Sequence, residues 1–149
     1  PHMVVTAPKD GTEFVGLLRS GLAHNDGPFC VRYPREVSPD VPGHAKDIPA
    51  VPHGTWEVLR KGEDLAILAV GTMVQESLKA AETLAAEGLS VTVVNCRYLK
   101  PYDATTLTAL LATHQQLLVV EEGTVVNGFG AHMASVVSQI DPGVRVVAH

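Results

Sequence analysis

The sequence predicts an α/β chain: a three-layer mixed, mainly parallel sheet, preceded by an incomplete β-α-β piece of a second α/β unit. Three observations predict it. Short runs rich in Val, Ile and Leu recur along the chain, and segments with apolar residues three and four apart separate most of them. Strands that alternate with helices of about 10–15 residues lie mostly parallel, because each helix crosses a face of the sheet before the next strand begins. Four prolines, Pro39, Pro42, Pro49 and Pro52, punctuate residues 36–53. That density favours an extended connector, so the chain divides into residues 1–35, a Pro-rich linker at 36–53, and residues 54–149.

In the first unit, Met3-Val4-Val5-Thr6-Ala7-Pro8 is a β-prone run closed by proline. Asp10, with Glu13 three residues on, forms a capping-box pattern that opens a helix reaching about His24. Phe14, Val15, Leu17, Leu18 and Leu22 give that helix one apolar stripe, expected to be buried. After the Asp26-Gly27-Pro28 turn, Phe29-Cys30-Val31-Arg32-Tyr33 reads as a strand that Pro34 ends. A lone β-α-β unit has two sheet edges and too little core to stand by itself, so it belongs to a larger sheet.

In the second unit, Trp56–Leu59 reads as a short strand, Lys61–Asp64 as a tight turn and Leu65–Val70 as a buried strand, the two strands antiparallel neighbours. Thr72 with Gln75 repeats the capping-box pattern for a helix that buries Val74, Leu78, Ala81 and Leu84 and stops at Gly88. Val91–Cys96 is the next strand. Pro101 and Asp103 introduce a helix with Leu107, Leu110 and Leu111 on one face, and Leu117–Val120 follows as a strand. Gly128-Phe129-Gly130 opens a helix burying Phe129, Met133, Val136, Val137 and Ile140; Asp141-Pro142-Gly143 breaks it, and Val144–Val147 is the last strand.

Composition excludes several functions. The formal net charge is −5 and the pI about 5.7, which leaves no basic stripe for a phosphate backbone. With 46% hydrophobic and 18% charged residues, the chain has the composition of a folded α/β protein. No apolar run approaches the roughly 18–20 residues of a spanning helix, and no signal segment opens the chain; a cytoplasmic protein is expected. Cys30 and Cys96 stand far apart in apolar runs and read as free thiols. The histidines show no metal-ligand spacing.

The candidate site residues are few. Arg35 stands just beyond a strand end, where ligands of open α/β sheets bind, and its guanidinium offers a fork for phosphate or carboxylate; the plainer alternative is a surface ion pair with Glu36 or Asp40. Arg32 reads as a structural arginine paired to an interior carboxylate. Gly128-Phe129-Gly130 is a weak anion-binding pattern and a better fit to close packing against the sheet. Glu121-Glu122 is an acid–base pair or, more plainly, the cap of a neighbouring helix. Arg97 and Lys100, at the end of another strand, suit an interface or loop-anchoring role rather than chemistry. His24, His114 and His132 lie on or near helix ends, where the helix dipole accounts for the first two. No residues form a nucleophile with its base, so no catalytic residue is assigned.

Five segments in order carry a resemblance. They are Met3–Pro8; Asn25–Pro28 running into Arg32-Tyr33-Pro34-Arg35; Gly62–Leu68 with Gly71-Thr72; Cys96–Pro101 with Asp103; and Val119–Gly123 with Gly128–Gly130. Together they resemble the 1-deoxy-D-xylulose-5-phosphate synthase family, built from three transketolase-like α/β domains. The resemblance implies that residues 1–35 end the domain contacting the aminopyrimidine of thiamine diphosphate, and that residues 54–149 are most of a transketolase-like C-terminal domain. It also implies a homodimeric, magnesium- and thiamine diphosphate-dependent transferase in isoprenoid and thiamine biosynthesis, which condenses pyruvate with glyceraldehyde 3-phosphate and releases carbon dioxide. The family's cofactor, metal and catalytic motifs match nothing in this chain, so the 149 residues alone are expected to be inactive. The alternatives are another transketolase-superfamily enzyme, a 2-oxoacid dehydrogenase β subunit or a transketolase, or a non-catalytic dimerisation or docking module. One functional residue carries over: the second arginine of the Arg-Tyr-Pro-Arg motif, Arg35, implied to bind the phosphate of glyceraldehyde 3-phosphate. The family's usual glycine after it is replaced here by Glu36, whose charge would oppose a phosphate unless it pairs with Arg35.

Overall fold

The computed structural model describes residues 2–35 and 45–149. Strand β1 (Val4–Thr6), helix α1 (Gly11–Ala23) and strand β2 (Phe29–Val31) form the expected β-α-β unit, with β1 and β2 parallel. α1 starts where its residues dictate: Asp10 is extended, and its carboxylate accepts the Glu13 N–H at 2.8 Å, satisfying a donor that a helix start leaves free. The buried face is narrower than the periodicity predicts. Leu17 is fully buried, whereas Leu18 and Leu22 are 41% and 87% exposed. Glu13, Gly16 and Leu17 are the helix's buried residues, Gly16 lying against Pro49 and Val51 of the connector and Glu13 against Asn95 and Arg97.

The second unit comprises β3 (Glu57–Arg60), β4 (Leu65–Ala69), α2 (Met73–Ala86), β5 (Val91–Asn95), β6 (Tyr98–Lys100), α3 (Ala104–Leu111), β7 (Gln116–Val120), α4 (Phe129–Ile140) and β8 (Arg145–Ala148). Its five-stranded sheet has the order β3-β5-β4-β7-β8. The last four of these are parallel and β3 is antiparallel to β5, so the sheet is mixed as predicted. The strand period of two splits the core. Ala66, Leu68 and Val70 face the side carrying Leu107, Leu111, Met133 and Val137, while Ile67 and Ala69 face the side carrying Val74 and Ala81 of α2. Three layers result. Gly88 ends α2 with φ +89°, the left-handed geometry that favours glycine at this position.

Four details correct the sequence-based expectations. First, β3 and β4 run antiparallel but are not neighbours, because β5 lies between them. The turn that joins them wraps the start of β5: Thr92 Oγ1 both accepts the Gly62 N–H at 2.8 Å and donates to the Gly62 carbonyl at 2.9 Å, and Asp64 Oδ2 accepts the Ser90 N–H at 2.7 Å. Buried His114 completes the lock, its Nε2 lying 3.1 Å from both Gly62 O and Thr92 Oγ1. His114 thus bridges the last turn of α3, where its Nδ1 lies 3.2 Å from Leu110 O, to the Gly62 turn and the start of β5.

Second, Thr72 forms no capping box. Its backbone is already helical, and its hydroxyl is buried without a hydrogen-bond partner. Third, Ile140, predicted to be buried, is 51% exposed at the last residue of α4. Fourth, Tyr98–Lys100, read as part of a loop, is a strand. β6 leaves the five-stranded sheet and pairs antiparallel with β1, so the smaller sheet has the order β2-β1-β6. The larger sheet that the β-α-β unit requires is therefore built partly from the second unit. Trp56 braces this crossing, since its indole N–H donates to the Tyr98 carbonyl at 2.7 Å.

Residues 36–44 of the Pro-rich segment lie outside the described residues, and the expectations for Glu36 and Asp40 lie there with them. The rest of the connector is mostly exposed but is fastened to α1. A 3-10 turn at Ala45–Asp47 accepts hydrogen bonds from Arg19, and Ser20 of α1 donates to the Val51 carbonyl at 2.7 Å.

Candidate functional site

Because β1 and β2 are parallel, their carboxyl ends open at the same edge, and the loops there meet the second unit. Arg32 still donates its backbone N–H to Thr6 O at 2.8 Å, and beyond it Pro34 stops the ladder. The Arg32 guanidinium is exposed and donates to the main-chain carbonyl of Glu122 at 3.2 Å. This corrects the expectation of an interior carboxylate partner. A basic residue just past a strand end projects out of the sheet, and the nearest acceptor is the loop after β7.

The Arg32–Glu122 contact separates two clefts. The larger, about 490 Å³, includes Lys100, Glu121, Asn127 and His132 in its walls. The smaller, about 180 Å³, lies between the carboxyl ends of β2 and β4 and includes Tyr33, Pro34, Gly71 and Thr72. Thr72, whose hydroxyl is buried without a partner, lines the same recess as Arg32. Arg35 follows directly on Pro34, is exposed, and makes no ion pair among the described residues.

The other candidates take structural roles. Glu121 Oε1 accepts the Gly130 N–H at 2.9 Å and so caps α4. Gly130 is packed tightly, for a Cβ there would sit 2.6 Å from the Cβ of Ala148. Arg97 anchors a loop, donating through Nε to Thr55 O and through Nη2 to Thr55 Oγ1, both at 2.9 Å. His132 is exposed beside the Tyr102 ring, and His24 stacks on His53 with ring centroids 5.6 Å apart. Cys30 and Cys96 are both free.

One constellation escapes sequence reading. Glu13, with a side chain only 3% exposed, lies between the two units. Its Oε1 accepts from Asn95 Nδ2 at 2.7 Å and lies 3.5 Å from Arg97 Nη1, and its Oε2 accepts the Lys9 N–H at 2.7 Å. Lys9 Nζ is 3.4 Å from Glu13 and 2.9 Å from Glu57. Burial works against the Lys9 ammonium, yet the Glu13 charge and the Glu57 hydrogen bond outweigh it, so Lys9 titrates above its ordinary range. Burial also opposes the Glu57 carboxylate, but the Lys9 hydrogen bond and charge hold it below its ordinary range. The Asp10–Glu13 spacing signalled only a helix start, and nothing in the sequence links residue 13 to residues 57, 95 and 97.

Among the described residues no group of three or more His, Cys, Asp or Glu side chains could hold a metal ion. The acidic pair Glu13–Glu57 is already matched by Lys9 and Arg97. This donor set does not fit a magnesium diphosphate.

Residues 54–148 match the family described as the transketolase C-terminal domain. The chain belongs to that family. It is similar to proteins named 1-deoxy-D-xylulose-5-phosphate synthase: 45% identical over 88% of the chain in Aquifex aeolicus, 42% over 98% in Gloeobacter violaceus and 40% over 93% in Rippkaea orientalis. It spans only 20%, 23% and 22% of those relatives. Among solved structures, a split-gene transketolase described as an inactive β4 tetramer superposes with a TM-score of 0.83 at 31% identity, over 99% of this chain and 48% of that one. A Pichia stipitis transketolase shares the fold, with a TM-score of 0.63 at 18% identity over 85% of this chain and 19% of that one.

Proposed function

We propose that this chain is part of a thiamine diphosphate-dependent transferase that joins pyruvate to glyceraldehyde 3-phosphate, with loss of carbon dioxide, to give 1-deoxy-D-xylulose 5-phosphate. The observation that carries the reading is the roughly 40% identity to synthases of that name across nearly the whole chain, through both sheets and the connector. Residues 1–35 then belong to the aminopyrimidine-contacting domain and residues 54–149 to the C-terminal domain, with residues 36–53 joining them. The cofactor and its magnesium ion are held by parts of the intact, cytoplasmic homodimer other than these residues. The cofactor supplies the carbon–carbon bond chemistry.

This chain's share is recognition of the acceptor. Arg35 stands at the carboxyl ends of the parallel strands, where its planar fork receives the phosphate of glyceraldehyde 3-phosphate and turns the aldehyde toward the reacting centre. The neighbouring recess, lined by Arg32, adds a second guanidinium at the same edge. A second reading, a sugar-phosphate transketolase, is favoured by the superposition on the split-gene transketolase. The two separate in one assay. The intact enzyme is given pyruvate with glyceraldehyde 3-phosphate, or a ketose phosphate donor with an aldose phosphate acceptor. Carbon dioxide release that depends on glyceraldehyde 3-phosphate supports the synthase, and ketol transfer between sugar phosphates without pyruvate overturns it.

A further inference from the structure

We propose that Tyr33 and Glu13 are positioning residues, through which the second unit sets the direction of Arg35. The inference rests on the acceptor-binding reading of Arg35 and assigns what aims that side chain. Three observations join into one path. Arg35 has no strand to hold it, since the ladder ends before Pro34. Within the Arg32–Arg35 segment, Tyr33 meets Phe14 of α1 edge to face, with ring centroids 5.1 Å apart and planes at 64°, a geometry in which aromatic pairs attract. Phe14 adjoins Glu13, whose buried carboxylate is fixed by Lys9 from its own unit and by Asn95 and Arg97 from the other.

The first turn of α1 is therefore pinned to the last residue of β5 and the loop after it, and hands that position to Tyr33. On the opposite side the Arg32 guanidinium reaches the Glu122 carbonyl after β7. The segment is held from two directions, and both holds end on the second unit. Tyr33 is 69% exposed, so its ring contributes little to the core, and the Phe14 contact is its described role. Glu13 acts differently. Removing its charge leaves the Lys9 and Arg97 cations facing Glu57, with Asp10 4.0 Å from Lys9, and loosens the turn that carries Phe14. Positioning of this kind matters because a displacement of about 1 Å at a substrate anchor costs on the order of 100-fold in rate.

The test uses the intact enzyme and two acceptors, glyceraldehyde 3-phosphate and unphosphorylated glyceraldehyde, which does not call on Arg35. Tyr33→Ala is expected to lower kcat/KM for the phosphorylated acceptor about tenfold, mainly through KM, and to leave the unphosphorylated one unchanged. Tyr33→Phe keeps the ring and is expected to restore the wild-type preference, and Glu13→Gln to follow Tyr33→Ala. An equal fall for both acceptors, or no fall, overturns the proposal. Arg35→Ala is measured alongside: if it does not discriminate between the acceptors, the acceptor-binding reading itself fails. Amide exchange of residues 29–35 then decides whether the path exists. Faster exchange in Tyr33→Ala and Glu13→Gln supports it, and unchanged exchange refutes it.

Discussion

Replacing Asp103 by alanine tests how the second unit is fastened at its first strand and at α3. One Asp103 oxygen accepts the Thr106 N–H at 2.9 Å as the α3 cap; the other accepts the Trp56 N–H at 2.9 Å and the Thr106 hydroxyl at 2.8 Å. Loss of a helix cap costs about 0.5–2 kcal/mol. Leaving the N–H of buried Trp56 unpaired costs about 1–3 kcal/mol more. Asp103→Ala is therefore expected to lose about 1.5–5 kcal/mol, or roughly 3–20 °C in Tm for a chain of this size. Asp103→Asn keeps a single acceptor oxygen and falls between. Burial would raise the Asp103 pKa, but hydrogen bonds from Thr106 and Trp56 outweigh it and hold the carboxyl below its ordinary 3.8. A depressed folded pKa means that the contribution is fully present above about 3.8 and fades as the pH falls through the folded value. Circular-dichroism melts of the chain and both variants at pH 7 and pH 3 read this directly. An Asp103→Ala variant within about 0.5 kcal/mol of wild type, or a difference that does not shrink at pH 3, would refute the reasoning.

Two further outcomes follow from packing and charge. Gly130→Ala would push a methyl against Ala148 at 2.6 Å beside the Glu121 cap and is expected to cost about 1–3 kcal/mol in denaturant melts. Lys9→Met removes the cation between Glu13 and Glu57 and is expected to destabilise at pH 7 by about 1.5–3 kcal/mol, the worth of a hydrogen bond between charged groups. Its effect shrinks below pH about 4.5 as Glu57 protonates, because that group's folded pKa is lowered. It shrinks also as the pH rises through the raised folded pKa of Lys9 above 10.5, where the wild type loses the same interaction. Melts across that pH range check both limits.

Local signals were legible in the sequence where they stay local. Asp10 and Asp103 cap the helices their spacing announced, Gly88 ends α2, and the Leu107-Leu110-Leu111 face is buried. The misreadings are non-local. Tyr98–Lys100 is too short to show a strand period, and its partner β1 lies at the other end of the chain. The turn at Gly62–Asp64 looked like a hairpin because its side-chain partners, Thr92 and His114, come later in sequence. Glu13 read as a capping residue for the same reason: what distinguishes it is burial against Asn95 and Arg97. At the site, the strand end carrying Arg32 and Arg35 was legible from Pro34, whereas the Glu122 carbonyl that receives Arg32 was not.

The central claim is that Arg35 holds the phosphate of the acceptor. Steady-state kinetics of the intact enzyme carrying Arg35→Ala, with pyruvate saturating and glyceraldehyde 3-phosphate varied, tests it most directly. A hydrogen bond between charged groups is worth about 1.5–3 kcal/mol, so the account predicts a KM for glyceraldehyde 3-phosphate raised about 10- to 100-fold. Unchanged KM and kcat/KM for that acceptor would contradict it.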